Sequence, residues 1–270
     1  MDAATPLVSV IMSVRNGEQW LKEAIESILH QSYTHWEFII IDDASGEPAQ
    51  QILQQYKTDT RIKIIRKDTQ QGLTKNLNTA IDHCKGDFIA RMDADDNSKP
   101  KRLEKQVAYL QENTEVAVVA GLVVLIDEKG KITGNWGDDW KTITPASIKN
   151  MLPRRNCIAH PSVLMRAEIL KQYRYNEAQL HSQDWDLWLR LSNDGKVIDK
   201  VKEPILSYRL HANSVTSTSN KKSVFLKKHE FYTNYLKDSR SSWFNSKVRL
   251  SFQLNRIKLF LSNIKRSLTS

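Results

Sequence analysis

The sequence predicts an α/β fold, a doubly wound and mostly parallel sheet followed by a helical extension. Three observations predict it. Strand-like and helix-like hydrophobic periods alternate through the first 125 residues. Three of the four early strands run into polar clusters, the arrangement expected where a parallel sheet opens at its carboxyl edge. Beyond residue 223 the pattern turns helical and basic.

Residues 7–14 read as a buried strand, and Trp20, Leu21, Ala24, Ile25, Ile28 and Leu29 then recur at helical spacing. Residues 38–41 form a second strand ending in Asp42 and Asp43, and Ile52, Leu53 and Tyr56 mark a helix. Residues 61–65 are a third strand. Residues 72–84 are helical, with Leu73, Leu77, Ala80 and Ile81 on one face. A fourth strand at 88–90 runs into Arg91-Met-Asp-Ala-Asp-Asp96. A helix from about residue 100 carries Leu103, Val107 and Leu110, residues 116–126 are a fifth strand, and Glu128-Lys-Gly130 reads as a hairpin turn.

The alternation fades over 127–220, which hold Pro145, Pro153, Pro161 and Pro204, and five of the seven Trp lie beyond residue 135. Loops and short elements laid over the sheet are expected there, with a helix at 184–192. The chain thus divides into 1–126, 127–220 and a tail, 221–270. In the tail Leu250, Leu254, Ile257, Leu261, Ile264 and Leu268 form an apolar seam. Trp243, Phe244 and Phe252 add bulk, and Arg249, Arg256, Lys258, Lys265 and Arg266 add charge.

The net charge of +9 is unevenly placed. Residues 1–220 carry 28 Lys and Arg against 29 Asp and Glu, whereas 221–270 carry 12 against only Glu230 and Asp238. A basic tail on a neutral body points to an anionic partner (phospholipid headgroups, nucleic acid or an anionic substrate) or to a solvated helical face. Cys84 and Cys157 are too few for a disulfide framework or a cysteine-rich zinc site, which fits a reducing compartment. The longest apolar run, eleven residues from 116 to 126, is too short to span a bilayer. Residues 1–7 lack a basic segment ahead of an apolar stretch, so no secretory signal is expected, and a cytoplasmic location is.

The chemistry is expected at the strand ends. No glycine-rich phosphate loop follows the first strand, where Ser13-Val-Arg-Asn-Gly17 stands, and this argues against Rossmann dehydrogenases and P-loop kinases. Asp93, Asp95 and Asp96 crowd like charges together, and such a group invites a hard cation, Mg²⁺ or Mn²⁺, with substrate phosphates completing its shell. That combination suits a nucleotide-diphosphate substrate. Capping of the next helix is the plainer reading of the same residues.

Eight ordered segments resemble the family 2 glycosyltransferases. They are Val8-Ser-Val-Ile-Met-Ser-Val-Arg-Asn-Gly17, Ile28-Leu-His-Gln-Ser-Tyr33, Glu37-Phe-Ile-Ile-Ile-Asp-Asp-Ala-Ser45, Gly72-Leu-Thr-Lys-Asn-Leu-Asn78, Arg91-Met-Asp-Ala-Asp-Asp96, Ala159-His-Pro-Ser162, Gln183-Asp-Trp-Asp-Leu-Trp-Leu-Arg190 and Tyr208-Arg-Leu-His211. The resemblance covers about residues 6–215. It implies a GT-A fold, a UDP-sugar donor, a divalent metal and inversion at the anomeric carbon. It makes 1–126 the nucleotide-sugar half and 127–220 the acceptor half. It places the donor against Ser13, Arg15, Asn16, Asp42, Asp43, Gly72, Lys75, Asn78, Arg91 and Asp93, with Asp42 on a uracil-type ring and Asp93 at the ribose. Asp95 and His211 would hold the metal. Lys75 and Arg91 would meet diphosphate or form structural ion pairs, and Asp42 and Asp43 could instead shape a turn.

The resemblance makes Asp184 the catalytic base, because inversion by one displacement needs a carboxylate opposite the leaving diphosphate. Asp186 is its rival, and helix capping is the structural alternative. His160 and Trp185 are assigned to the acceptor, although a Trp on an amphipathic helix also suits a core. The sequence departs from the common family pattern at Gln183, where Glu is frequent, and at Leu77, where many relatives carry Arg. Acceptors of many bacterial relatives are polyprenyl-diphosphate-linked glycans of O-antigen or capsule synthesis. By analogy the enzyme would lie at the cytoplasmic face of the inner membrane. The tail would then rest on that membrane, or it would pack on the catalytic domain or, through 243–268, on another subunit. Rival readings are a nucleotidyltransferase of similar fold, a nucleic-acid-binding module using the tail, and an inactive sugar-binding protein. Nucleic acid is not the expected partner.

Overall fold

The computed structural model describes residues 5–179, 181–212, 224–239 and 242–267. Its first half alternates as expected: β1 (Val8–Val14), α1 (Glu18–Leu29), β2 (Trp36–Asp42), α2 (Glu47–Gln54), β3 (Ile62–Arg66), α3 (Leu73–His83) and β4 (Phe88–Arg91). There follow β5 (Asn97–Ser98), α4 (Arg102–Glu112), β6 (Val116–Ile126), β7 (Ile132–Asn135), α5 (Gly137–Lys141) and α6 (Pro145–Met151). A single 3-10 turn at His160–Ser162 leads into β8 (Leu164–Arg166), α7 (Ala167–Tyr173), α8 (Gln183–Asn193) and β9 (Val197–Arg209). The tail forms α9 (Val224–Asp238) and α10 (Trp243–Ser267).

Sheet order is β3-β2-β1-β4-β8-β6-β9-β5, with β7 hairpinned onto β6. The block β3-β2-β1-β4 is wholly parallel, so the carboxyl ends of β1, β2 and β4 open on one edge. Beyond β4 the sheet is mixed: β8 runs antiparallel to β4 and β6, whereas β9 is parallel to β6. Each face carries its own core. One is built on Val10, Met12, Ile25, Ile28, Phe38 and Leu103, the other on Ile11, Ile39, Ile81, Leu187, Trp188 and Phe231. Leu77, at the position where many relatives carry Arg, is buried in the second.

One expectation for 127–220 is corrected. Instead of only short elements, the region supplies β9, thirteen residues long, between β6 and the two-residue β5 at one side of the sheet. Lys200 and Pro204 disguise it. Pro204 lies opposite Leu122, where the β6–β9 register shifts, a position that does not require its missing N–H. Lys200 is fully buried, and its Nζ donates to Asp139 Oδ1 (2.6 Å) and to the carbonyls of Asp139 and Cys157 (both 2.8 Å). Gly121 is required nearby, since a Cβ there would fall 2.2 Å from the Ile205 side chain.

The tail helices dock on the catalytic body through Phe231, Tyr232, Tyr235, Phe244 and Val248, which join the core around α8. The Tyr232 hydroxyl donates to the Pro153 carbonyl at 3.0 Å. The expected seam is not the face that packs. Leu250, Leu254, Ile257 and Leu261 are exposed, and Leu268 lies outside the described residues, as do the side chains of Ile264, Lys265 and Arg266.

Candidate active site

The carboxyl ends of β1 and β2 are bound into one another. Asn16 donates its backbone N–H to Ser45 Oγ (2.9 Å), and its Oδ1 accepts from the Gly46 N–H (3.0 Å). Asp42 closes a turn by accepting from the Ser45 N–H (2.9 Å) and pairs with Arg66 across to β3. Asp43 accepts from the N–H groups of Gln71 (2.6 Å) and Gly72 (3.0 Å) at the start of α3. Gly72 at φ 87° is what lets the backbone turn that way. Ser13 Oγ accepts from Asn76 (3.2 Å), while Arg15 and Lys75 stand exposed at the rim. Asn16 and Ala44 both lie in the left-handed region, at φ 57° and 56°. An L-residue with a Cβ there costs roughly 1–2 kcal/mol, a cost asparagine partly escapes. Such strain gathers at sites whose shape is functional.

One strand over, β4 delivers Asp93, Asp95 and Asp96, whose carboxylate oxygens can come within 4.8 Å of one another. Asp95 Oδ2 lies 2.9 Å from His211 Nε2, and the Trp20 ring packs 4.4 Å from the histidine ring. Asp96 Oδ1 accepts from the Arg209 N–H (2.8 Å), but its buried Oδ2 has no hydrogen-bond partner among the described residues. Burial, reinforced by Asp93 and Asp95, holds the Asp96 carboxyl well above the usual carboxylate range. A hard divalent cation would relieve both problems, so oxygen donors, an orphaned carboxylate oxygen and an adjacent imidazole fit a Mg²⁺ or Mn²⁺ site.

Arg209 frames this group. Its side chain donates to the carbonyls of Asp95 (2.8 Å) and Asp127 (3.1 Å) and pairs with Glu23 of α1 (2.8 Å). From below, the buried Arg91 pairs with Asp93. Burial opposes the Arg91 charge, yet Asp93 raises its pKa overall. Arg102 holds the Arg91 carbonyl at 2.8 Å, and its own pKa is pushed down to about 9 by burial and then by Arg91.

The other side of the site comes from α8. Asp184 stands in its first turn, half-buried, and accepts from Asn156 Nδ2 at 2.6 Å. Burial raises its pKa, against the opposing pull of hydrogen bonds and of Arg91. The field of Arg91 therefore reaches Asp184 as well as Asp93, and Tyr175 feels Arg91, Asp184 and Asp93 together. Asp186, two residues on, is buried away and fixed to Arg190 at 2.8 Å. Asp186 thus serves its own helix, whereas Asp184 bonds Asn156 and feels the charge of Arg91.

A model of glycosyl transferase family 2 matches residues 9–174. This chain belongs to that family. The O-antigen biosynthesis glycosyltransferase WbnJ of Escherichia coli is 35% identical over 217 residues, 79% of this chain and 83% of the relative. The UDP-Glc:alpha-D-GlcNAc-diphosphoundecaprenol beta-1,3-glucosyltransferase WfgD, also of Escherichia coli, is 29% identical over 80% of this chain and 81% of that one. Among solved structures, S. aureus TarS in complex with UDP-GlcNAc superposes with a TM-score of 0.71 at 17% identity, covering 93% of this chain and 72% of TarS. That likeness shows the fold, the GT-A fold the sequence led us to expect.

Three expected contacts of this glycosyltransferase are corrected. Trp185 is only 4% exposed: its indole stacks on Phe231 at 4.1 Å and donates to the Leu152 carbonyl, so it anchors the tail and offers no face to a sugar. His160 is buried against the Tyr175 hydroxyl (2.7 Å), and burial followed by the charge of Arg91 pushes its pKa well down, so it stands neutral in the interior. Asn78 turns inward to bond the Tyr175 backbone from both ends of its amide (2.9 and 3.0 Å). Sequence reasoning missed Asn156, Tyr175 and Arg209. Arg209 sits inside the Tyr208-to-His211 segment and was within reach, whereas a lone loop Asn or Tyr carries no signal of its partner.

Proposed function

We propose that the enzyme transfers a sugar, with inversion, from a UDP-sugar to a hydroxyl of a glycan acceptor. The acceptor is a lipid-linked intermediate of the O-antigen or capsule type. The observation that carries this reading is the orphaned Asp96 oxygen in a three-aspartate group, with Asp184 near the same Arg91. The names of WbnJ and WfgD support the pathway and the lipid-linked acceptor, and the UDP-GlcNAc bound to TarS supports the donor class.

In this reading residues 1–126 form the donor half and 127–220 the acceptor half. The donor's base lies at Ser13, Arg15, Asn16, Asp42 and Asp43, its ribose at Asp93, and its diphosphate beside Gly72 and Lys75, while Arg91, buried and paired with Asp93, takes the structural ion-pair role. Asp95 and His211, with Asp96 beside them, hold Mn²⁺ or Mg²⁺. A divalent ion held by these residues would supply positive charge against the departing diphosphate. Asp184 takes the proton of the acceptor hydroxyl, and that oxygen attacks the anomeric carbon on the face opposite the diphosphate. A raised pKa suits this task, since it makes the ionised Asp184 a stronger base. A lipid-linked acceptor places the enzyme peripherally on the cytoplasmic face of the inner membrane. No helix among the described residues is long and apolar enough to cross one.

The test is a panel of nucleotide sugars with Mn²⁺ and a lipid-linked acceptor, reading UDP release and anomeric configuration. A single UDP-sugar should turn over with inversion. Retention of configuration, or turnover of GDP-sugars alone, overturns the reading.

A further inference from the structure

We propose that α10 is a docking helix for the surface of an anionic phospholipid bilayer, meeting it with the apolar stripe that the fold leaves uncovered. Trp243, Leu250, Leu254, Ile257 and Leu261 are 52–70% exposed, and Phe260 stands beside them at 65%. At 3.6 residues per turn the first five fall within a stripe about 60° wide that runs about 27 Å along the helix. The packing face is elsewhere on the same helix: Phe244 and Val248 are buried against the catalytic body, and Asn255 is buried too. The helix is therefore held in place by one face while presenting another.

The charge around the stripe decides the occupant. Residues 239–270 contain seven Lys and Arg and no Asp or Glu. Lys247 and Lys258 follow one side of the stripe, and Arg249 and Arg256 lie on the other, beyond Phe260. Lys247 Nζ sits 3.8 Å over the exposed Trp243 ring, a cation with an amphipathic aromatic suited to the headgroup level. A second copy of the chain would bring two helices without a single acid face to face, whereas an anionic bilayer offers headgroups to the flanking cations and hydrocarbon to the stripe. Nucleic acid would satisfy the cations and leave the apolar side chains unused. The helix packs on α8, which begins with Gln183 and Asp184, so docking would seat the membrane on the same body as the candidate base.

This inference deepens the lipid-linked-acceptor reading by naming the surface involved, but its test needs no turnover. The full chain is floated with phosphatidylcholine vesicles, with and without phosphatidylglycerol. Binding at least tenfold stronger to the anionic vesicles is expected, since each basic residue near such a surface is worth about fivefold. The double variant Leu254→Ser/Ile257→Ser should weaken it at least fivefold. The charge variant Arg249→Glu/Arg256→Glu/Lys258→Glu should abolish the preference for phosphatidylglycerol. Because these side chains are exposed, both variants should keep the wild-type melting curve and the wild-type UDP release on a water-soluble acceptor. No flotation with either vesicle overturns the proposal. So does a dimer in analytical ultracentrifugation that Leu254→Ser/Ile257→Ser dissociates, or binding to duplex DNA that displaces the vesicles. Vesicle binding without any sugar transfer would keep this inference and remove the functional reading alone.

Discussion

The two sides of the site are built by different means. On the proposed donor side, Asp42, Asp43 and Asp96 sit at or just beyond the ends of strands in the parallel block, and backbone N–H groups of Ser45, Gln71, Gly72 and Arg209 fix them. On the proposed acceptor side, position depends on side chains: the Asn156 amide on Asp184, the Asn78 amide on the Tyr175 backbone, and the Tyr175 hydroxyl on His160. The difference teaches that a regular sheet edge can concentrate charge through its own topology. An irregular wall needs individual buried bonds, and each is a point of failure.

The largest expected effect separates the sides directly. Asp184→Asn should lower kcat by about 10²–10⁴, the span that a general base contributes, with UDP-sugar affinity intact by calorimetry. Asp95→Ala should do the reverse: donor affinity in Mn²⁺ should fall, and a Mn²⁺ titration should lose its saturable response. Were Asp184→Asn to weaken donor binding as much as Asp95→Ala does, the two sides would not be separable and the comparison would break.

The next effect concerns stability. Lys200→Met leaves Asp139 buried without its cation and strips the Cys157 carbonyl of a donor. Removing one partner of a buried ion pair typically costs about 3–5 kcal/mol, which urea unfolding would read as a lower midpoint. A loss below about 1 kcal/mol would mean that β9 is held by its ladder with β6 alone.

The same contrast explains what could be read beforehand. The run from β1 to β4, then α4 and β6, was legible because each of these strands and helices has a hydrophobic period of its own, whereas the two polar residues of β5 have none. The parallel edge then followed from topology, and with it the company of Asp42, Asp43 and Asp93. β9 was not legible, because a lysine whose partner lies sixty residues away and a proline at a register shift both look like loop residues in isolation. Trp185 misled for a related reason. A tryptophan beside a candidate base reads as a sugar platform until Phe231, from the tail, is found stacked on it. The tail itself was half-legible: its seam was visible, but only the packed positions of Phe244 and Val248 show that the seam faces outward.

A smaller effect tests the Asn156 bond. That bond favours the ionised form of Asp184 and opposes the burial that raises its pKa. Asn156→Ala should therefore raise the pKa further. A base works only when ionised, so activity that falls as the medium is acidified should begin to fall at a higher pH in the variant. At sufficiently alkaline pH the two enzymes should converge in kcat. A profile displaced to lower pH, or an unchanged profile with uniformly low kcat, would assign Asn156 to acceptor contact instead.

The smallest effect lies on the donor side. Ala44 holds a left-handed conformation between Asp43 and Ser45, at a cost of roughly 1–2 kcal/mol that glycine would not incur. Glycine in turn gives the unfolded chain more freedom, which takes back about 0.5–1 kcal/mol. Ala44→Gly should then gain only about 0.5 kcal/mol, a rise of one or two degrees in Tm. Its effect on function should run the other way. The strained turn presets Asp42 and Asp43 before the donor arrives, so loosening it should weaken UDP-sugar binding while kcat at saturation stays put. If affinity does not change, the hydrogen bonds from Ser45, Gln71 and Gly72 suffice to fix those carboxylates, and the donor side owes its order to the sheet edge alone.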